Sequence, residues 1–218
     1  MIKGSTFRIL AAAAILFTCS PASCAEELMP IKLLPPQTEG GKPLMQALKD
    51  RKSMRAFSSR ELPDQILSDL LWAAFGINRP DSGLRTAPTT RNMQEIDIYV
   101  VNARGVYLYD AKANALNPVL SGDIRALTGA QAFVKNAPIN LVYVSDLSRM
   151  AGVPPKDVDF YTATDTGFIS ENVYLYCSSA GLSTVVRGWL DKAQLAKAMR
   201  LRPDQRVVLA QTVGYPGE

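Results

Sequence analysis

The stretch Thr162–Asp191 (TATDTGFISENVYLYCSSAGLSTVVRGWLD) constrains the fold more than any other. It reads as a long helix, a tight turn at Ala180-Gly181-Leu182 and a short strand. Phe168, Ile169, Val173, Tyr176, Cys177 and Ala180 fall on one stripe at helical spacing. From Asp165 to Ala180 such a helix runs roughly 24 Å, the width of a small domain. Only Asp165 and Glu171 carry charge before the turn. A helix so poor in charge lies in a core or in a subunit interface. Asn172 is polar on an apolar stripe and reads either as a packing amide or as part of an interface network. Gly181 supplies a left-handed stop.

The first residues stand apart from the fold. Lys3 and Arg8 form a basic region, Ile9–Phe17 an apolar one, and Ser23-Cys24-Ala25 offers small residues for cleavage after Ala25. The apolar run is too short to span a membrane comfortably. Residues 1–25 are therefore expected to be a signal peptide and the protein to be exported, periplasmic or secreted. Lipoprotein processing at Cys19 or Cys24 fits the flanking residues poorly. Cleavage leaves a length suited to one domain. Of the three Cys only Cys177 then remains, mid-helix among apolar residues, so an internal disulfide is excluded. The formal net charge of +4 forms no basic stripe, which argues against a nucleic-acid partner.

The chain has no His. That excludes Ser-His-Asp and Cys-His nucleophile systems and any His-bearing zinc site. No metal site is expected, and no side chain stands out as a catalytic acid or base. If the chain is an enzyme, a cofactor carries the reaction.

Residues 26–43 read as an extended, Pro-containing lead-in and 44–218 as one mixed α and β domain. Helices are expected over Leu44–Lys49, Gln65–Phe75, Ile124–Lys135 and Lys192–Met199. Strands are expected at Ile96–Asn102 and Gly105–Asp110, which form a hairpin, and at Asn140–Ser145, Ser183–Arg187 and Gln205–Val213. Asn78–Asn92 reads as a loop. The elements do not alternate strictly, so a doubly wound parallel sheet is disfavoured. Neither a dinucleotide-binding nor a P-loop glycine motif is present.

Three constellations could carry chemistry. Arg51-Lys52-Ser53-Met54-Arg55 places three cations and a hydroxyl within five residues at a helix end, suited to a phosphate. Pro88-Thr89-Thr90-Arg91-Asn92-Met93-Gln94 crowds hydroxyls and amides into a loop before a strand, suited to the edge of a heteroaromatic ring. Val185-Val186-Arg187-Gly188 leads out of a strand to a glycine that lets a backbone N–H approach a ligand. Taken singly, the first is more often a charged helix end and the second a capped turn.

In this order and at these distances, with Asn172 and Ala180-Gly181-Leu182 between the second and third, the motifs resemble those of the nitroreductase superfamily of FMN-dependent oxidoreductases. Leu71–Gly76 and Val106–Asp110 look more like its SagB-type dehydrogenase branch, whose members oxidise peptide azolines. The resemblance implies an α+β fold with a mainly antiparallel sheet, helices on both faces and a homodimer. It implies hydride transfer through N5 of FMN to or from a small organic substrate, with a reductant such as NAD(P)H. Arg51, Ser53 and Arg55, with Lys52 in the same motif, would hold the FMN phosphate. Pro88, Thr89, Thr90 and Asn92, in a motif closed by Gln94, would line the flavin from the partner subunit. Val186, Arg187 and Gly188 would lie along the isoalloxazine, one backbone N–H near N5.

Some residues depart from the family pattern. Thr replaces Ser twice in the second motif, and Arg187 stands where many members have Glu, which places a cation near the flavin and favours its reduced, anionic form. After Gly214-Tyr215-Pro216 no basic residue follows, so one phosphate-gripping cation of the family is missing here. These departures leave room for a flavin-binding module without turnover.

Overall fold

The computed structural model describes Met1 and residues 28–217; the signal segment expected at residues 1–25 lies largely outside the described residues. Among the described residues no helix is long and apolar enough to cross a membrane. The framework is a seven-stranded sheet in which every pair is antiparallel. In chain order its strands are β1 (Ile31–Lys32), β4 (Ile96–Val101), β5 (Gly105–Asp110), β6 (Ala115–Ser121), β7 (Ile139–Asp146), β8 (Ser183–Arg187) and β9 (Gln205–Gly214). Across the sheet the order is β1-β6-β5-β4-β7-β9-β8. A separate two-stranded ribbon, β2 (Ile77–Arg79) and β3 (Leu84–Arg85), interrupts the expected loop Asn78–Asn92.

Alternation along the strands divides the core. Ile98, Val100, Leu141, Tyr143 and Val213 face one side, where α2 (Asp64–Phe75) supplies Leu70, Leu71, Ala74 and Phe75. On the same side α3 (Pro155–Ala180) supplies Ile169, Val173 and Cys177. Tyr99, Val101, Val142, Val144 and Ala210 face the other side and pack on Leu195 and Met199 around α4 (Lys192–Ala198). The short helix α1 (Leu44–Asp50) lies on α3, fixed by Ser178 Oγ donating to the Ala47 carbonyl (2.7 Å). The expected α+β architecture, mainly antiparallel with helices on both faces, is what the chain forms.

Three local expectations differ. The helix expected over Ile124–Lys135 is two single 3₁₀ turns, Arg125–Thr128 and Ala132–Lys135, parted at Gly129. A Cβ at Gly129 would collide with the Arg187 guanidinium, which fills the space a continuous helix needs. Strand β6, ALNPVLS, is not among the expected strands, and it contains Pro118. Pro118 sits at the bulge opposite Tyr107, beyond the two-residue pairing with β1, where a missing N–H costs no ladder bond. Finally, α3 begins at Pro155, so its 26 residues extend about 39 Å rather than 24 Å. Pro155 occupies the first turn, where proline needs no N–H partner.

The buried face of α3 also differs from the apolar stripe. Thr162, Asp165, Thr166, Ile169, Ser170, Val173, Tyr174 and Cys177 are buried. Phe168 is 45% exposed. Asn172 is half-buried and reaches the Ala74 carbonyl of α2 at 3.4 Å, as a packing amide does.

Candidate functional site

Strand β8 is an edge of the sheet, and edge strands present unpaired backbone groups. The first motif covers part of this edge. The Met54 N–H donates to the Thr184 carbonyl (3.0 Å). Ser53 Oγ hydrogen-bonds the Tyr174 hydroxyl (2.8 Å), which also accepts the Val186 N–H (3.0 Å). The Arg51 guanidinium stands 5.4 Å from the centre of the Tyr174 ring. Tyr174 therefore ties the first motif, α3 and β8 together. It belongs to the site, yet it was not among the candidate residues, because its spacing on α3 is that of an ordinary core aromatic.

Beside this junction opens a cleft of about 620 Å³ lined by Lys42, Lys49, Lys52, Met54, Tyr174 and the turn 181–184. Arg51, Lys52 and Arg55 make no ion pair among the described residues, although several carboxylates elsewhere are paired. Cations left unpaired beside a cleft suit an anionic group. At Gly188, which is exposed, an added Cβ would meet only Leu209 Cδ2 at 3.6 Å, so the backbone is open to approach.

Arg187 divides between two places. Its backbone lies at this edge, but its side chain passes to the opposite face of the sheet and is 5% exposed. There Nη1 donates to the Thr128 carbonyl (2.6 Å), and Nη2 donates to Asn140 Oδ1 and Thr212 Oγ1 (2.8 Å each). The Phe133 ring centre lies 5.8 Å from the guanidinium, and Phe133 touches Phe57 beyond the first motif (5.3 Å). Burial pushes the guanidinium down to about 10. The cation expected beside a flavin is thus turned into the core, where it fixes the end of β8 by hydrogen bonds. The Val186 N–H is engaged by Tyr174, which leaves the Gly188 N–H as one that could meet a ligand here.

The second motif sits elsewhere. Thr90 donates from its backbone N–H (2.8 Å) and its hydroxyl (3.3 Å) to the carboxyl of Asp165 on α3. Asp165 precedes Tyr174 by nine residues, roughly 14 Å along the helix axis. Within one chain, then, the first and third motifs meet and the second does not join them. The loop is braced through Gln94, both within itself and against the β2–β3 ribbon. Gln94 Nε2 donates to Gly83 O (3.1 Å) and Asn92 Oδ1 (3.1 Å), while Gln94 Oε1 accepts from Arg85 Nε (2.7 Å). The Gln94 N–H donates to Thr89 Oγ1 (3.0 Å). The brace holds Arg91, Asn92 and Gln94 at φ of 51°, 56° and 50°, the left-handed region that non-glycine residues enter at a cost. Pro88, Arg91 and Asn92 are the loop's exposed residues.

Beneath the loop lies a carboxyl pair that the motifs did not reveal. Glu95 is 0% exposed and neither of its side-chain oxygens has a hydrogen-bond partner. Burial and the neighbouring Asp165 push it up to about 7. Cys177 is fully buried, and burial pushes its thiol up, out of the reactive range.

The comparisons with known proteins agree on the fold. A crystal structure of a Ralstonia eutropha protein designated a nitroreductase superposes with a TM-score of 0.83 at 44% identity, covering 87% of this chain and 90% of that one. A nitroreductase homologue of Methanocaldococcus jannaschii is 28% identical over 170 residues, 73% of this chain and 85% of its own length. The NADPH:FMN oxidoreductase of Vibrio harveyi, solved with NAD⁺, shares the fold at 21% identity, with a TM-score of 0.60 over 80% of this chain and 69% of that one. The sequence profile of the nitroreductase family matches residues 48–215, which include all three motifs, Tyr174 and the whole of α3, and the chain belongs to that family.

Proposed function

We propose that the protein is an exported, homodimeric, FMN-dependent oxidoreductase acting on a small organic substrate. The family supports a flavin oxidoreductase in general. The observation that carries the finer reading is that the motif bearing the unpaired Arg51, Lys52 and Arg55 is joined to β8 at Thr184 and, through Tyr174, at Val186, two residues before the open backbone of Gly188. These residues fit FMN. The cations and the Ser53 hydroxyl receive a phosphate, and the edge at Arg187-Gly188 admits a flat ring against backbone. FMN, when bound, supplies two-electron hydride transfer through N5. The protein binds and orients it. Tyr174 keeps Ser53 and β8 in register, and the buried Arg187 guanidinium fixes the strand end beside Gly188.

The separation of the second motif from the other two supports a homodimer, in which a partner's loop 88–94 completes the site. Leu44, Met45 and Leu48 on α1 and Phe168 on α3 are exposed, at 62%, 75%, 44% and 45%, and suit burial against a second copy. Light scattering of the purified mature protein is expected to give the mass of two chains. Its absorbance is expected to show flavin bands, and the released cofactor the mass of FMN. A protein that stays colourless after incubation with FMN ends this reading.

A further inference from the structure

Glu95 directly follows the second motif and its backbone is fixed, since its carbonyl accepts the Asp146 N–H of β7 (2.8 Å). Its side chain has no such support. Both carboxyl oxygens are cut off from water, and the one donor beside them is the N–H of Glu95 itself. Asp165 on α3, 1% exposed, lies within hydrogen-bonding reach of the Glu95 carboxyl and accepts two bonds from Thr90. The charged group that approaches the pair from the other side is Arg149, in the turn after β7. Its guanidinium is committed to Asp97 (2.8 and 3.0 Å), to Asp146 (3.4 Å) and to the Gln94 carbonyl (3.0 Å). Burial, and then the neighbouring Asp165 carboxyl, favour the neutral form of Glu95. A single proton resolves the arrangement, because it turns one Glu95 oxygen into a donor toward Asp165.

We propose that Glu95 carries a proton that it directs toward Asp165, and that this proton keeps the Thr90 anchor of loop 88–94 on α3 in place. The loop has three non-glycine residues at positive φ and so relaxes unless its anchors persist. The anchor that reaches outside the loop to α3 is Thr90 on Asp165. With the proton present, Asp165 is free to accept from Thr90. With it gone, two like charges repel across the junction of α3 and β4, and the Thr90 anchor opens. Glu95 is a positioning residue and touches no substrate. That the loop it positions lines a flavin rests on the function proposed above, but the anchoring itself does not.

The test is therefore made on the full protein without flavin, by amide hydrogen exchange at Thr90, corrected for the intrinsic pH dependence of exchange. In the native protein, Thr90 protection is expected to fall by about tenfold or more as pH rises from about 6 to about 8.5. In Glu95→Gln, whose side-chain amide donates to Asp165 at every pH, protection is expected to stay high and flat. Native protection that does not change with pH, or a Glu95→Gln variant with the native pH dependence, overturns the proposal. Should that variant fail to fold, the carboxyl ¹³C shift of Glu95 in the native protein decides. A midpoint near neutrality that coincides with the loss of Thr90 protection supports it, and a midpoint near an ordinary carboxyl value overturns it. FMN uptake by the same sample is scored separately, so failure of the cofactor reading leaves this result intact.

Discussion

Arg187 and Glu95 are both ionisable and both sealed from water, yet the fold treats them in opposite ways. Arg187 has no carboxylate partner but donates to three oxygens, and only its Nε is left unpartnered. Its charge is spread over a planar fork and survives burial because neutral acceptors surround it. Glu95 has no donor from another residue on either oxygen, so only protonation relieves it. A buried cation kept by hydrogen bonds is a structural pin, whereas a buried acid kept by a proton responds to pH.

The strongest way to break the contrast is to deprive Arg187 of its space. Gly129→Ala drives a methyl group into the guanidinium, which is confined by the Phe133 ring and the Thr128 carbonyl. The expected loss is on the order of 3–5 kcal/mol, or failure to fold, read by urea denaturation. Stability within 1 kcal/mol of native would mean that the pin is not rigid.

Glu95→Gln tests the other member. The Glu95 carboxyl titrates near 7 in the fold against 4.5 in an ordinary environment. Between these values the folded state binds more protons than the unfolded one, so native stability falls as pH rises through that window and levels off above it. The variant lacks this slope. Relative to native it is expected to gain stability with pH, approaching on the order of 2–3 kcal/mol by about pH 8. Parallel stability curves for the two proteins would show that Glu95 is ionised in the fold at ordinary cost.

These two groups also show where the sequence could and could not be read. Continuous apolar runs such as Asn140–Ser145 announced central strands, and the order of the three motifs announced the family. The break at Gly129 was not legible, because its cause is a side chain 58 positions away that arrives only when β8 joins the sheet. The first turns of α3, residues 155–161, were not legible either: none of their side chains is buried, and the first buried residues after them are the polar Thr162, Asp165 and Thr166, which in sequence look like a solvated surface. Asp165 stood out as one of two charges on the helix, but its partner Glu95 lies on another element. What unites the missed features is burial of polar groups, which pattern reading assigns to water by default.

Tyr174→Phe asks a smaller question, whether satisfaction matters equally at the partly open edge of β8. The hydroxyl bonds Ser53 and Val186, and both contacts are only partly buried. Water can replace a lost partner there, so the expected cost is about 1 kcal/mol. If FMN binds as proposed, its affinity drops more than this stability loss explains, because Ser53 and the β8 edge lose their common support. Fluorescence titration with FMN measures that difference, and unchanged affinity would remove Tyr174 from the site.

Asn172 supplies the lower limit of the comparison. It is polar, on the same helix as Asp165, and among the described residues its side chain has one hydrogen bond, the 3.4 Å contact with the Ala74 carbonyl. It is also only half-buried, so its amide keeps water in the folded state. If sealing from water is what makes Arg187 and Glu95 consequential, Asn172→Leu is expected to change stability by less than about 0.5 kcal/mol, with the light-scattering mass unaltered. A loss several times larger would mean that a long, partly solvated hydrogen bond matters as much as a sealed one. Loss of the associated form alone would instead move Asn172 from helix packing to the subunit interface.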